Sequence, residues 1–173
     1  MLKTIGSAVF EETAIGPRAP AAHSENAIAI LLIGPHDSRR CALRKIFTLS
    51  PWESREAATF GEAVDVLDNR PIAVVICDTE IEDGSWQKLL AHLQSRAHAP
   101  NLIVCSRLAD ERLWAEVLNL GGYDVLMQPF DNGEVLRVAR MAWVAWRQQE
   151  AVKSLGGGGA TRTLDLRIMR PSL

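Results

Sequence analysis

Seven consecutive residues, Ile72-Ala73-Val74-Val75-Ile76-Cys77-Asp78, constrain the fold of this chain more than any other stretch. The run is introduced by Arg70-Pro71, is apolar and rich in β-branched side chains, and stops at a carboxylate. A continuous apolar run of this length reads as a strand buried on both faces, as in a parallel sheet. Its last residue then sits at the rim. In open α/β sheets that rim, at the carboxyl ends of the strands, is where ligands and chemistry gather. Asp78 is therefore the first candidate functional residue, set against the plainer reading of an aspartate that opens a loop.

Similar runs recur along the chain. Ala27 to Ile33, halted by Gly34-Pro35, is the expected first strand, and Asn101 to Cys105 and Tyr123 to Met127 are later ones. A short polar edge strand is expected over Glu53 to Ala58. Between them lie helical patterns: Leu43, Ile46 and Phe47 behind a cap at Asp37 or Ser38, then Ala63, Val64 and Leu67 behind the capping box Thr59-Phe60-Gly61-Glu62. Trp86, Leu89, Leu90 and Leu93 follow a turn at Asp83-Gly84, and Leu113, Trp114, Val117 and Leu118 precede a C-terminal cap at Gly121-Gly122. The last helix starts at Asp131 to Glu134 and carries Val135, Ala139, Ala142, Trp143 and Trp146 on its apolar side. Five alternations with short connections argue for an α/β fold with parallel strands, right-handed crossovers and helices on both faces.

The chain has 173 residues, 47% of them hydrophobic, enough for one domain with tails. The reading divides it into a leader over 1–25, a domain over 26–150, and a Gly-rich linker and unstructured tail over 151–173. A net charge of -2 gives no general attraction to nucleic acid, and no stretch is apolar enough to span a bilayer. Cys41, Cys77 and Cys105 lack zinc-site spacing, and Cys77 and Cys105 end apolar runs. Buried free thiols in a reducing cytoplasm are the expectation.

From about Ala27 to Gln149 the chain resembles the receiver domain of two-component response regulators. The resemblance rests on Ile76-Cys77-Asp78, Asp83-Gly84, Val104-Cys105-Ser106, Gly121 and Gln128-Pro129-Phe130, in that order and spacing. It implies a flavodoxin-like (βα)5 three-layer sandwich whose five-stranded parallel sheet has the order 2-1-3-4-5. It also implies a phosphorelay in which Asp78 takes a phosphoryl group from a histidine kinase. A carboxylate oxygen is a competent nucleophile for such a transfer, which otherwise depends on positioning and on cations around the moving oxygens.

The family's two sources of positive charge are both altered here. Gly34-Pro35-His36 stands where an acidic pair would hold magnesium, a metal that prefers carboxylate oxygen. Gln128 replaces the lysine that contacts the phosphoryl group. Any magnesium would be held weakly, by Asp78 with Glu80 and Asp37, although Asp37 also reads as a helix cap. Glu80 brings a further negative charge toward the acceptor. Ser106 matches the hydroxyl that follows the phosphoryl group, and Val125 falls where a switching aromatic is usual. His36 reads as a loop residue in preference to a metal ligand or base.

The expected function is that of a stand-alone receiver-like module with an eroded magnesium and phosphoryl site, not an enzyme, acting through protein contacts. Trp143 and Trp146 mark a face for a signalling partner or a second copy. A working phosphoacceptor, a flavin-binding protein of the same fold and a thiol enzyme are the other readings. The flavin reading lacks a good phosphate loop after the first strand, and burial of Cys77 and Cys105 opposes the thiol one.

Overall fold

Alternation within each apolar run decides which layer a side chain enters. The computed structural model describes residues 29–156. In strand β1 (Ala29–Ile33), Ile30 and Leu32 point into one core while Leu31 and Ile33 point into the other. Strand β3 (Val74–Asp78) divides in the same way, Val74 and Ile76 against Val75 and Cys77. Strand β6 (Asn101–Ser106) sends Ile103 and Cys105 to one side and Leu102 and Val104 to the other. This is the physical reason that the runs carry no polar residue until they reach the rim.

Strand β2 (Glu53–Ala57) closes one edge of the sheet and β7 (Asp124–Met127) the other, giving the order β2-β1-β3-β6-β7 with every pair parallel. Helices α1 (Ser38–Thr48) and α5 (Asn132–Gly156) cover one face; α2 (Phe60–Asn69), α3 (Trp86–Gln94) and α4 (Glu111–Leu120) cover the other. The expected five-stranded flavodoxin-like sandwich is the fold observed.

Local signals act largely as the sequence implies. The Asp37 carboxylate accepts from the Arg39 and Arg40 amides and caps α1, and the Thr59 hydroxyl accepts from the Glu62 amide to cap α2. The Glu62 carboxylate reaches back to the Ala58 amide, one residue beyond the usual capping-box partner. Gly121 adopts φ 95° and ends α4, with the Gly121 and Gly122 amides donating to the Leu118 and Val117 carbonyls.

Three features depart from the expectation. Asp83-Gly84 forms part of a small antiparallel hairpin, β4 (Glu80–Ile81) with β5 (Gly84–Ser85), and Ser85 caps α3. Asp83 tolerates φ 62° in that hairpin, and its carboxylate accepts from the Phe60 amide, tying the turn to α2. On α4 only Val117 is fully buried, Leu113 packs at the margin, and Trp114 and Leu118 face outward. Helix α5 continues to Gly156, past the expected boundary at 150, because nothing from Glu150 to Leu155 breaks a helix. The expected leader and residues 157–173 lie outside the described residues. Among the described residues no helix is long and apolar enough to cross a membrane.

Candidate functional site

The parallel register brings the strand ends to one rim. Asp78 closes β3, with its Cα opposite that of Cys105, so that Ser106 lies one position further toward the rim of β6. Gln128 follows β7, and the loop after β1 supplies Gly34 to Asp37. Asp78 is only 7% exposed. A buried carboxylate needs its lone pairs satisfied, and here both oxygens are.

The Asp78 Oδ1 accepts from the Glu80 amide at 3.2 Å and the Thr79 hydroxyl at 3.3 Å. Its Oδ2 accepts from the Gln128 side-chain amide at 3.2 Å and lies 3.1 Å from Nη1 of Arg39. Two oxygens offer about four acceptor sites. Three hydrogen bonds and the Arg39 ion pair engage them.

Arg39 is the residue that sequence reasoning missed. Its Nε sits 2.5 Å from the Asp37 carboxylate and its Nη2 3.9 Å from that of Glu80, so the three acids proposed as weak metal ligands surround one guanidinium. Its neighbour Arg40 was missed as well. Arg40 is 5% exposed, donates from Nη1 to the carbonyls of Gly34 and Ala57, both at 3.0 Å, and pairs with Glu56 at 3.2 Å. A signal for both was available: two cations in the first turn of a helix oppose its macrodipole, so each required a carboxylate or carbonyl partner elsewhere.

Burial works against the charged form of Asp37, but the Arg39 side chain, followed by the Arg39 and Arg40 amides, outweighs it and holds this carboxyl below its ordinary pKa of 3.8. Burial likewise opposes the charge on Arg39, and pairing with Asp37, Asp78 and Glu80 raises its pKa on balance. A depressed carboxylate contributes stability that is present above its unfolded pKa and lost as the pH falls through the lower folded value. Asn caps helices as well as Asp does, so Asp37→Asn isolates the charge. At neutral pH the variant should be less stable by up to about 1 kcal/mol. The difference should disappear as the pH drops below 3.8, as Tm measured against pH would reveal.

The residues present do not fit a magnesium ion. Gly34, Pro35 and His36 offer no carboxylate. The loop also lies close on Asp78: a Cβ on Gly34 would stand 3.0 Å from that of Asp78. The enclosed space among Gly34, Asp37, Arg39, Asp78 and Gln128 is about 10 Å³, room for roughly one water. Among the described residues no group of three or more His, Cys, Asp or Glu is arranged to hold a metal ion. Above this space a groove of about 500 Å³ opens between Ser38, Arg39, Arg107 and Gln128.

The remaining candidates fall into place around this centre. The Ser106 hydroxyl is buried and accepts from the Leu108 amide at 3.1 Å. His36 is exposed, and Val125 is buried beneath the rim. Cys77 and Cys105 are free and buried, and burial pushes both thiols up, away from the thiolate a nucleophile requires. Trp143 and Trp146 are half-buried against the α1 and α5 side of the core, with Arg147 stacked on Trp143. The outer side of α5 instead presents Met141, Val144, Val152 and Leu155.

A family model described as the response regulator receiver domain matches residues 30–140. Nothing among curated proteins matches. Similar solved structures include the signal receiver domain of an HD domain-containing protein from Pseudomonas fluorescens Pf-5, 22% identical with a TM-score of 0.67 over 75% of this chain and 96% of that one. A CheY-like response regulator receiver domain protein from Methanospirillum hungatei JF-1 is 18% identical, with a TM-score of 0.63 over 71% of this chain and 98% of that one. The beryllofluoride-activated NtrC4 receiver domain dimer is 18% identical, with a TM-score of 0.63 over 68% and 98%. At these identities the structures speak for the fold, and the family model speaks for descent. With a sheet of this order and an acid ending its central strand, the chain belongs to the response regulator receiver domain family.

Proposed function

We propose that the protein is a receiver of two-component signalling in which Asp78 keeps the phosphoacceptor position while the phosphoryl site is eroded, so that it signals chiefly through protein contacts. The observation that carries this reading is that both oxygens of the Asp78 carboxylate are already engaged within the chain, by three hydrogen bonds and the Arg39 ion pair. An attacking oxygen must first give up a partner, Arg39 or Gln128 at Oδ2, Thr79 or the Glu80 amide at Oδ1. Gln128 offers a neutral donor where a charged one would serve the transferring group, and hydrogen bonds to charged groups are worth roughly 1.5 to 3 kcal/mol. Ser106 and Gln128 are the side chains that a phosphoryl group would meet, and magnesium contributes weakly at most, for want of acids at 34–36.

Output by contact has a surface available. The outer side of α5, with Met141, Val144, Val152 and Leu155 exposed and Trp143 and Trp146 half-buried at its margin, gives a face for a histidine kinase, another signalling protein or a second copy; the NtrC4 receiver domain is itself a dimer. Neither a nucleic acid nor a membrane is part of this reading, which sets the protein in the cytoplasm.

Incubation of the full chain with acetyl phosphate and Mg2+ tests the proposal. Labelling should stay well below one phosphoryl group per chain, and Gln128→Lys should raise its rate by about tenfold or more. Stoichiometric labelling that Asp78→Asn abolishes would overturn it.

A further inference from the structure

We propose that the Arg39 guanidinium takes the place of the divalent cation, as a tethered charge that holds the acidic floor of the site in one balanced arrangement. Each of its nitrogens faces a different acid: Nε the carboxylate of Asp37, Nη1 that of Asp78, Nη2 that of Glu80. A planar fork of fixed donors is suited to such bridging, whereas an ammonium would reach only part of it. The first turn of α1 is an unfavourable place for a cation, and α1 has no acid in that turn to offset it. What holds Arg39 there is therefore the cap residue Asp37 together with Asp78 and Glu80 across the rim.

Two further observations separate this from an ordinary surface ion pair. Asp78 is buried, so its charge needs a permanent partner. The neighbouring Arg40 cannot take over, because it is committed to Glu56 and to the carbonyls of Gly34 and Ala57. Being part of the chain, the Arg39 charge is present at every concentration of free metal. The site is thus set by the fold and not by magnesium supply.

The inference shares with the proposed function the placement of Asp78 at the floor, and the two fail differently. Phosphoryl labelling decides the first; metal response and charge coupling decide this one.

The test is thermal unfolding of the full chain with added MgCl2 or EDTA, for the wild type, Arg39→Gln, Asp78→Asn and the double variant. Arg39→Gln should lower Tm by on the order of 3 to 6 °C, and adding Asp78→Asn should recover more than half of that loss, because it removes the stranded charge. Mg2+ should raise the Tm of Arg39→Gln and leave that of the wild type unmoved. Arg39→Lys, which keeps the charge, should fall between wild type and Arg39→Gln. The inference is overturned if the losses of the two single variants simply add, if Mg2+ moves the wild type and Arg39→Gln equally, or if Arg39→Lys loses as much as Arg39→Gln. Should Arg39→Gln fail to fold, the wild-type Mg2+ titration and the Arg39→Lys variant decide alone: a metal-dependent rise in wild-type Tm, or a lysine variant that also fails to fold, overturns it.

Discussion

Arg40→Met should cost about 3 kcal/mol of folding stability, far more than a change at a helix surface usually does. The methionine stem can fill much of the arginine's path, but it cannot donate to the carbonyls of Gly34 and Ala57, nor pair with Glu56. Removing Arg40 leaves the Gly34 carbonyl without its donor and Glu56 with only Arg44, at 3.7 Å, and most of the cost arises there. The Ala57 carbonyl still accepts from the Gly34 amide at 3.2 Å, so the loss is partial. Urea unfolding gives the figure. Arg40→Lys should recover little of it, because a single ammonium cannot serve two carbonyls and a carboxylate together. A methionine variant as stable as the wild type would show that the clasp contributes nothing net.

Phe47→Ala should be the more damaging change, by about 3 to 5 kcal/mol. Phe47 is wholly buried, on the inner side of α1 and next to the Trp52 ring, with centroids 5.9 Å apart. Alanine leaves a cavity that the surrounding strands can only partly close, since β1 and β3 are fixed in register on both sides. The effect should reach the rim as well. Arg39 and Arg40 sit on the same helix, and a loosened α1 holds them less firmly. Chemical denaturation would give the stability, and a red-shifted Trp52 emission in the folded state would report the cavity.

The layers of the fold were legible because burial on both faces writes itself as an uninterrupted apolar run, as in β1 and β3. Caps were legible for a similar reason: Asp37, Thr59 and Gly121 solve a local problem with local atoms. Ser106 and Gln128 lie at strand ends, positions that follow from the runs. Arg39 was not, since hydrophobic periodicity says where a side chain starts and nothing about where a long flexible one ends. Its partners Asp78 and Glu80 lie some forty residues away in sequence and meet it only through the β1 to β3 pairing. The β4–β5 hairpin was hidden by its length, two residues a side, too short for alternation to register. The outward turn of Trp114 and Leu118 misled in another way: an apolar stripe on α4 need not be a buried one.

The absent side chain at residue 34 also limits what the loop after β1 can be made to hold. With φ 157° and 3.0 Å between its virtual Cβ and that of Asp78, Gly34 lets the loop after β1 lie closer to Asp78 than a side chain there would allow. Gly34→Asp would crowd the Asp78 Cβ and take a backbone conformation that L side chains rarely adopt before its carboxylate could serve any ion. The surrounding main chain would have to retreat first, against the grip of Arg40.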